Sequence, residues 1–157
     1  MIRYAIAVLL SLLAIDAHAV PPALSPADHA AILAIASNGD AAWNARDAKA
    51  LAATFTIDGH NRILRTPIDL RGRDAIEAYF TNSLSKVEAG LRHRTVVDAI
   101  TPVADDVAVA DIRVALERTE ANGSITVVRR FSGTAVVVRD GDAWKIRVNR
   151  VHVEPAS

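Results

Sequence analysis

The stretch "WNARDAKALAATFTID", residues 43 to 58, reads as a loop, a short helix and an exit into extended chain. Asp47 opens the helix, and Ala48, Leu51, Ala52 and Phe55 follow at i, i+3, i+4 and i+7, on one apolar face. Gly59 ends this helix or lies just past it, and Asn61 to Thr66 is expected as a short strand stopped by Pro67. Asp58 and His60 lie where helix gives way to extended chain. They decide whether the segment only covers a core or walls a site.

Upstream, Ser25, Pro26 and Asp28 mark a helix start. The serine can accept backbone N–H bonds, proline suits the first helical position, and the acid complements the helix dipole. Ile32, Ile35, Ala36, Gly39 and Trp43 then recur at spacings of three and four, so Gly39 falls on the apolar face. Downstream, Gly72 to Glu77 begins a third helix, with Asp74 and Glu77 spaced as in a capping box. Its stripe is Ile76, Tyr79, Phe80, Leu84 and Val87.

From Leu91 the period changes to two. Strands are expected over 91–100, 106–118, 125–138 and 143–153, divided by Pro102 with Asp105-Asp106, by Asn122-Gly123 and by Asp140-Gly141-Asp142. Helices followed by a meander predict an α+β fold, with three N-terminal helices packed in a strongly bent antiparallel sheet. The enclosed end of such a sheet is available as a pocket.

The first residues have a different character. Arg3, an apolar run to Ile15 too short to span a bilayer, and Ala17-His18-Ala19 form the pattern of a secretory signal peptide cut after Ala19. The expected organisation is signal peptide 1–19, leader 20–27 and one domain over 28–154, in the periplasm or secreted. Of the 157 residues, 18 are Lys or Arg and 18 are Asp or Glu, and cleavage removes one of each sign (Arg3 and Asp16). A neutral chain gives no electrostatic reason to expect nucleic acid or an anionic membrane. The sequence contains no cysteine, which excludes disulfides, thiol catalysis and thiolate metal sites.

The order helix, helix, short strand, helix, long hairpins resembles the cone-shaped nuclear transport factor 2-like superfamily, including its SnoaL-like and ketosteroid-isomerase-like members, over residues 28 to 153. The residues that carry the resemblance are Trp43 to Asp47, Phe55 with Asp58, Gly72 to Ile76, Tyr79 to Leu84 and Asp140 to Ile146. In the isomerases, catalysis needs a carboxylate base, a tyrosine and a protonated aspartate at the enolate oxygen. The resemblance places the base position on Ile63, the tyrosine on Gly39 and the late aspartate near Ser132 to Thr134, none of which is a carboxylate or phenol. Such a chain is not expected to be an isomerase of that kind, and its wall is expected to be apolar. The resemblance also implies a homodimer paired through the sheet.

Candidate polar groups are few. Asp58 and His60 could act as acid and base at a pocket mouth. On the last strand Trp144, Ile146 and Val148 alternate, and the same period places Arg150 and His152 on the inward face unless a bulge intervenes. His93 shares a face with Leu91, Thr95 and Val97, where a lone histidine is usually structural. Arg129 and Arg130 must point oppositely, and the resemblance favours Arg130 as the one reaching the cavity. The spacing of His60, His93 and His152 suits no metal motif, and neither metal nor cofactor is expected. The pocket is expected to comprise Gly39, Trp43, Phe55, Ile63, Tyr79, Phe80, His93, Arg130 and Arg150, with Asp58, His60 and His152 as catalytic candidates. Three readings follow: a carrier of a small apolar or weakly polar molecule; an isomerase, dehydratase or cyclase using an Asp–His pair; or a dimeric interaction module whose cavity is filled.

Overall fold

The computed structural model describes residues 23–155, so the proposed signal peptide lies outside the described residues. Helix α1 (Pro26–Asn44) starts where its capping residues predict, with Ser25 Oγ accepting from the Asp28 N–H at 3.1 Å. The helix thus begins inside the stretch read as a leader. Asp28 also accepts from Trp144 Nε1 at 2.9 Å and from Arg139, which ties the start of α1 to the last hairpin. Among the described residues no helix is long and apolar enough to cross a membrane.

Helix α2 (Ala48–Ala53) is capped by Asp47, whose Oδ1 accepts from the Ala50 N–H at 2.8 Å. It stops short of Phe55, which begins strand β1 (Phe55–Leu64) instead of ending a helix. Thr54, Thr56 and Ile57 are β-branched and favour extended backbone, so the apolar spacing that suggested a further helical turn loses to local conformational preference. Gly59 therefore lies within a strand. A Cβ there would stand 2.9 Å from Phe55 Cβ, at the bulge in β1 between Phe55 and His60.

Strand β2 (Asp69–Arg71) pairs with β1, and helix α3 (Arg73–Leu84) follows Gly72, whose φ of 84° sets the entry angle. Gly72 is the N-cap residue and has no side chain, so the expected capping box does not form. The long strands are β3 (Leu91–Ala104), β4 (Val107–Thr119), β5 (Ile125–Asp140) and β6 (Ala143–Val153).

Together they form one six-stranded sheet in the order β2-β1-β6-β5-β4-β3. The sheet is mixed, because β1 runs parallel to β6 while the remaining neighbours are antiparallel. That corrects the expectation of a purely antiparallel sheet. β1 is reached from α2 rather than from a hairpin, so its direction is set by where the helix delivers the chain.

One irregularity governs the site. Val136 pairs with Val148 but Val137 pairs with Ile146, so Arg147 is an extra residue in β6. Side chains alternate along a strand, and a single inserted residue reverses the alternation beyond it. Ile146 and Trp144 keep the inward face, whereas beyond the bulge Asn149 and Val151 take it. At the same bend Gly133 lets β6 approach closely, since a Cβ on it would sit 2.0 Å from the Arg150 carbonyl oxygen. The core lies between the helices and this curved inner face, with Ile76, Ala52, Ala108 and Val137 at most 2% exposed.

Candidate functional site

The inner face of the sheet and the helices enclose a cavity of about 300 Å³. That is at the small end of the roughly 300–1,000 Å³ typical of ligand sites. Helix α1 contributes Ile35, Gly39, Asp40 and Trp43, and α3 contributes Tyr79 and Phe80. Phe55 and Ile63 on β1, Ile112 and Val114 on β4, and Phe131 on β5 continue the apolar wall. Gly39 has its side without a Cβ turned to this space, the nearest heavy atom to an added Cβ being Leu51 Cδ1 at 3.8 Å. At the late-strand position Gly133 lies between the cavity residues Phe131 and Ala135, and the chain places no carboxylate there.

The catalytic candidates drawn from the sequence lie elsewhere. Asp58 is exposed on the outer face and pairs with Arg147, the bulged residue of β6. His60 also leaves the inner face. Its Nε2 is 2.5 Å from Asp69 Oδ1, and its Nδ1 lies 3.4 Å from the Arg150 guanidinium. This hydrogen bond, against some desolvation, holds the Asp69 carboxyl below its ordinary pKa. Arg150 and His152 stand on the outer face because the Arg147 bulge reverses the alternation that predicted them inward, and His152 Nε2 meets Ser132 Oγ at 3.1 Å. Arg130 is exposed, one residue before the inward Phe131, and does not line the cavity. His60 and His152 are thus separated from His93 by the thickness of the sheet.

His93 does line the cavity, and it has a partner that sequence reasoning missed. Asp40 on α1 accepts from His93 Nδ1 at 2.7 Å, from the Thr95 backbone N–H at 2.7 Å and from Thr95 Oγ1 at 2.7 Å. Burial pushes the Asp40 carboxyl up, but the hydrogen bonds from His93 and Thr95 outweigh it and hold the pKa below its ordinary value. An ionised carboxylate only accepts, so Nδ1 carries the proton of this hydrogen bond, and Nε2 is the ring nitrogen left to accept whenever the imidazole holds a single proton.

The ring is held from other sides as well. Asn44 brackets the His93 backbone, donating to its carbonyl at 3.0 Å and accepting from its N–H at 2.8 Å, and Trp43 lies 5.3 Å from the imidazole, centroid to centroid. Asp40 had a detectable signal. It falls four residues after Ala36 and three before Trp43, a lone acid on the apolar stripe of α1.

Two further polar features share the wall. Burial pushes the Tyr79 phenol up, so its hydroxyl stays protonated. Asn61, 4% exposed, accepts from Asn149 Nδ2 at 2.9 Å across the β1–β6 pair, and both line the cavity.

Three helices packed in a strongly bent sheet, with a half-buried acid–imidazole pair in the wall of the cavity between them, make the architecture that of the nuclear transport factor 2-like cone folds. Residues 25–150 match the SnoaL-like domain model, and the chain belongs to that family. Similar solved structures include a domain of unknown function with a cystatin-like fold from Nostoc punctiforme, with TM-score 0.73, 21% identity, and coverage of 84% of this chain and 80% of that one. Another is a nuclear transport factor 2-like protein with a cystatin-like fold from Novosphingobium aromaticivorans, with TM-score 0.67, 19% identity, and coverage of 83% and 84%. A ketosteroid isomerase-like protein from Erwinia carotovora atroseptica is also similar, with TM-score 0.62, 18% identity, and coverage of 81% and 96%. At these identities the likeness shows the fold. No curated protein matches the chain.

Proposed function

We propose that the protein binds a small, mostly apolar molecule in this cavity and moves a proton on it, with His93 as base and Asp40 as the partner of its ring. The observation that carries this reading is the 2.7 Å contact between Asp40 and His93 in the wall of an otherwise apolar cavity. Nε2 takes a proton from carbon beside a polarised group, and Asp40 stabilises the imidazolium that forms. Return of the proton to another carbon gives isomerisation. Departure of a neighbouring hydroxyl with that proton, as water, gives dehydration. Tyr79 offers a hydrogen bond to the oxygen on which negative charge develops. This is isomerase-, dehydratase- or cyclase-type chemistry on residues different from those of the ketosteroid isomerases.

The test is exchange of the α-protons of a bound cyclic ketone, 1-tetralone, in deuterium oxide, followed by proton NMR. Wild type is expected to exchange them faster than buffer, and His93→Gln to lose about 10²-fold or more of that rate. A ketone that binds and exchanges no faster than in buffer refutes catalysis. It then favours the second reading, a carrier, which the apolar side chains and glycines at Gly39, Ile63 and Gly133 support. The open cavity weighs against a purely structural module.

Export and pairing belong to the same proposal. The pattern of residues 1–19 supports export to the periplasm or medium, and an N-terminus at Val20 in the exported protein is the expected mass-spectrometric result. Val107, Val109, Val136, Val138 and Val148 share the outer face by strand register, which supports pairing with a second copy through the sheet. Sedimentation is expected to give a dimer mass.

A further inference from the structure

Three side chains of α1 converge on one residue of β3. Asp40, Trp43 and Asn44 stand at i, i+3 and i+4, on one face of the helix. Asp40 holds the His93 ring at Nδ1, Trp43 lies against that ring, and Asn44 holds the His93 backbone. Asp40 and Trp43 line the cavity. Asn44 does not, and both of its hydrogen bonds go to main-chain atoms.

The reason lies in the sheet. β3 is last in the strand order, so one of its edges has no neighbouring strand among the described residues. Backbone N–H and C=O groups on such an edge need partners. A residue of an antiparallel ladder turns both groups to one side, and those of His93 face α1 and not β4. Asn44 meets them as a strand residue would. Its Nδ2 donates to the His93 carbonyl at 3.0 Å, and its Oδ1 accepts from the His93 N–H at 2.8 Å. One turn earlier, Asp40 Oδ2 takes the next edge N–H, that of Thr95, at 2.7 Å. Four helix residues advance by about 6.0 Å and two strand residues by about 6.6 Å, so the two contacts suit both elements at once. The side chain of His93 is thereby anchored at both ends, by Asn44 at the backbone and by Asp40 at Nδ1.

We propose that Asn44 is a positioning residue for His93: it acts through the backbone to set where Nε2 stands, and so governs the rate of proton transfer on a bound molecule and not the affinity for it. This rests on the reading of His93 as base. With the backbone end released, the Asp40 hydrogen bond becomes a pivot about which the ring swings. A displacement of about 1 Å at a reacting atom can cost on the order of 10²-fold in rate. A molecule held by the apolar wall loses no contact, because Asn44 makes none with it. The role needs an amide. An aspartate at this position accepts from the N–H but turns an oxygen without a proton toward the His93 carbonyl, and an alanine reaches neither.

The experiment compares wild type with Asn44→Ala and with the isosteric Asn44→Asp, using 1-tetralone as probe. Calorimetry gives its affinity, and deuterium exchange at saturating ketone gives the rate on the bound molecule. Asn44→Ala is expected to lower that rate about tenfold or more while affinity stays within about twofold, and Asn44→Asp to lower it as well. Nitrogen NMR is expected to show the His93 ring resonances shifted in Asn44→Ala, which a loss of stability alone does not produce in the folded state. In wild type the His93 amide is expected to be protected from hydrogen exchange although it lies on a sheet edge, a readout that needs no variant. An unchanged rate on the bound ketone, an affinity that falls as far as the rate, unmoved ring resonances, or an unprotected His93 amide overturns the proposal. Absence of exchange in wild type is a failure of the base reading, and the ring resonances and amide protection then decide the positioning role on their own.

Discussion

Replacing Asp40 by Asn tests the centre of the site with almost no change in shape. The carboxylate accepts from His93 Nδ1, from the Thr95 N–H and from Thr95 Oγ1, each at 2.7 Å. An amide has one oxygen and one NH₂, so it cannot serve both the backbone N–H and a protonated Nδ1. If the oxygen stays with the Thr95 N–H, the NH₂ faces His93 and the ring must carry its proton on Nε2. The base is then lost without moving the imidazole. Hydrogen bonds to a charged group stabilise by about 1.5–3 kcal/mol each and neutral ones by about 0.5–1.5. Relief of burying a charge offsets part of that difference, so Asp40→Asn is expected to cost about 2 kcal/mol of stability.

The pH dependence has a definite sign. The Asp40 pKa is depressed in the folded protein, so its stabilisation is present above the ordinary carboxylate range and is lost as pH falls through the folded value. The gap between wild type and variant should therefore narrow on acidification. Nitrogen NMR of the His93 ring reads the tautomer, and urea denaturation reads the stability. An unchanged tautomer together with an unchanged denaturation midpoint refutes the role assigned to Asp40.

Gly133→Ala is expected to abolish soluble folded protein, because its Cβ would lie 2.0 Å from the Arg150 carbonyl oxygen and 2.7 Å from Val151 Cα, both backbone atoms. Gly39→Ala makes the opposite case: with Leu51 Cδ1 3.8 Å away, the added methyl group should raise the melting temperature, reflecting about 1 kcal/mol of helix stabilisation, while trimming the cavity. Asp58→Ala breaks an exposed ion pair with Arg147 and should change stability by less than about 1 kcal/mol and probe affinity not at all, as denaturation and calorimetry check. Asp28, held at about 2 by hydrogen bonds from Trp144, Arg139 and Ser25, contributes stability that is complete above the ordinary carboxylate value near 3.8 and lost as pH falls toward 2. Acid titration followed by tryptophan fluorescence, compared between wild type and Asp28→Asn, should show that loss only in the former.

Much of the fold was legible because its signals are local. Ser25, Pro26 and Asp28 cap α1, Asp47 caps α2, and the Asn122-Gly123 and Asp140-Gly141-Asp142 turns separate the strands. Such features act within a few residues, so their chemistry can be read without knowing what packs against them. Gly39, Trp43, Phe55, Ile63, Tyr79, Phe80 and His93 line the cavity for a related reason. The residues that a helix or strand turns away from water are those its period makes apolar, together with a small residue or a lone histidine on the same stripe.

The choice among polar groups was a different matter. Arg150 and His152 were placed by the period of the last strand, and Asp58 and His60 by the expected end of the second helix, yet all four lie on the outer face. At β1 the chain had already become a strand at Phe55, and in β6 one extra residue, Arg147, reversed the alternation. A bulge is a consequence of how two strands fit together and leaves no mark on the period of either one. The pairing of Asp40 with His93 spans 53 residues and depends on α1 lying across β3. The sequence by itself determined the order of helices and strands, the α+β class and the apolar character of the wall, since these follow from local propensity and burial, but not the parallel pairing of β1 with β6. Only the tertiary structure decided which acid meets which imidazole and which amide faces the cavity, because those contacts depend on strand register and helix placement across the whole chain.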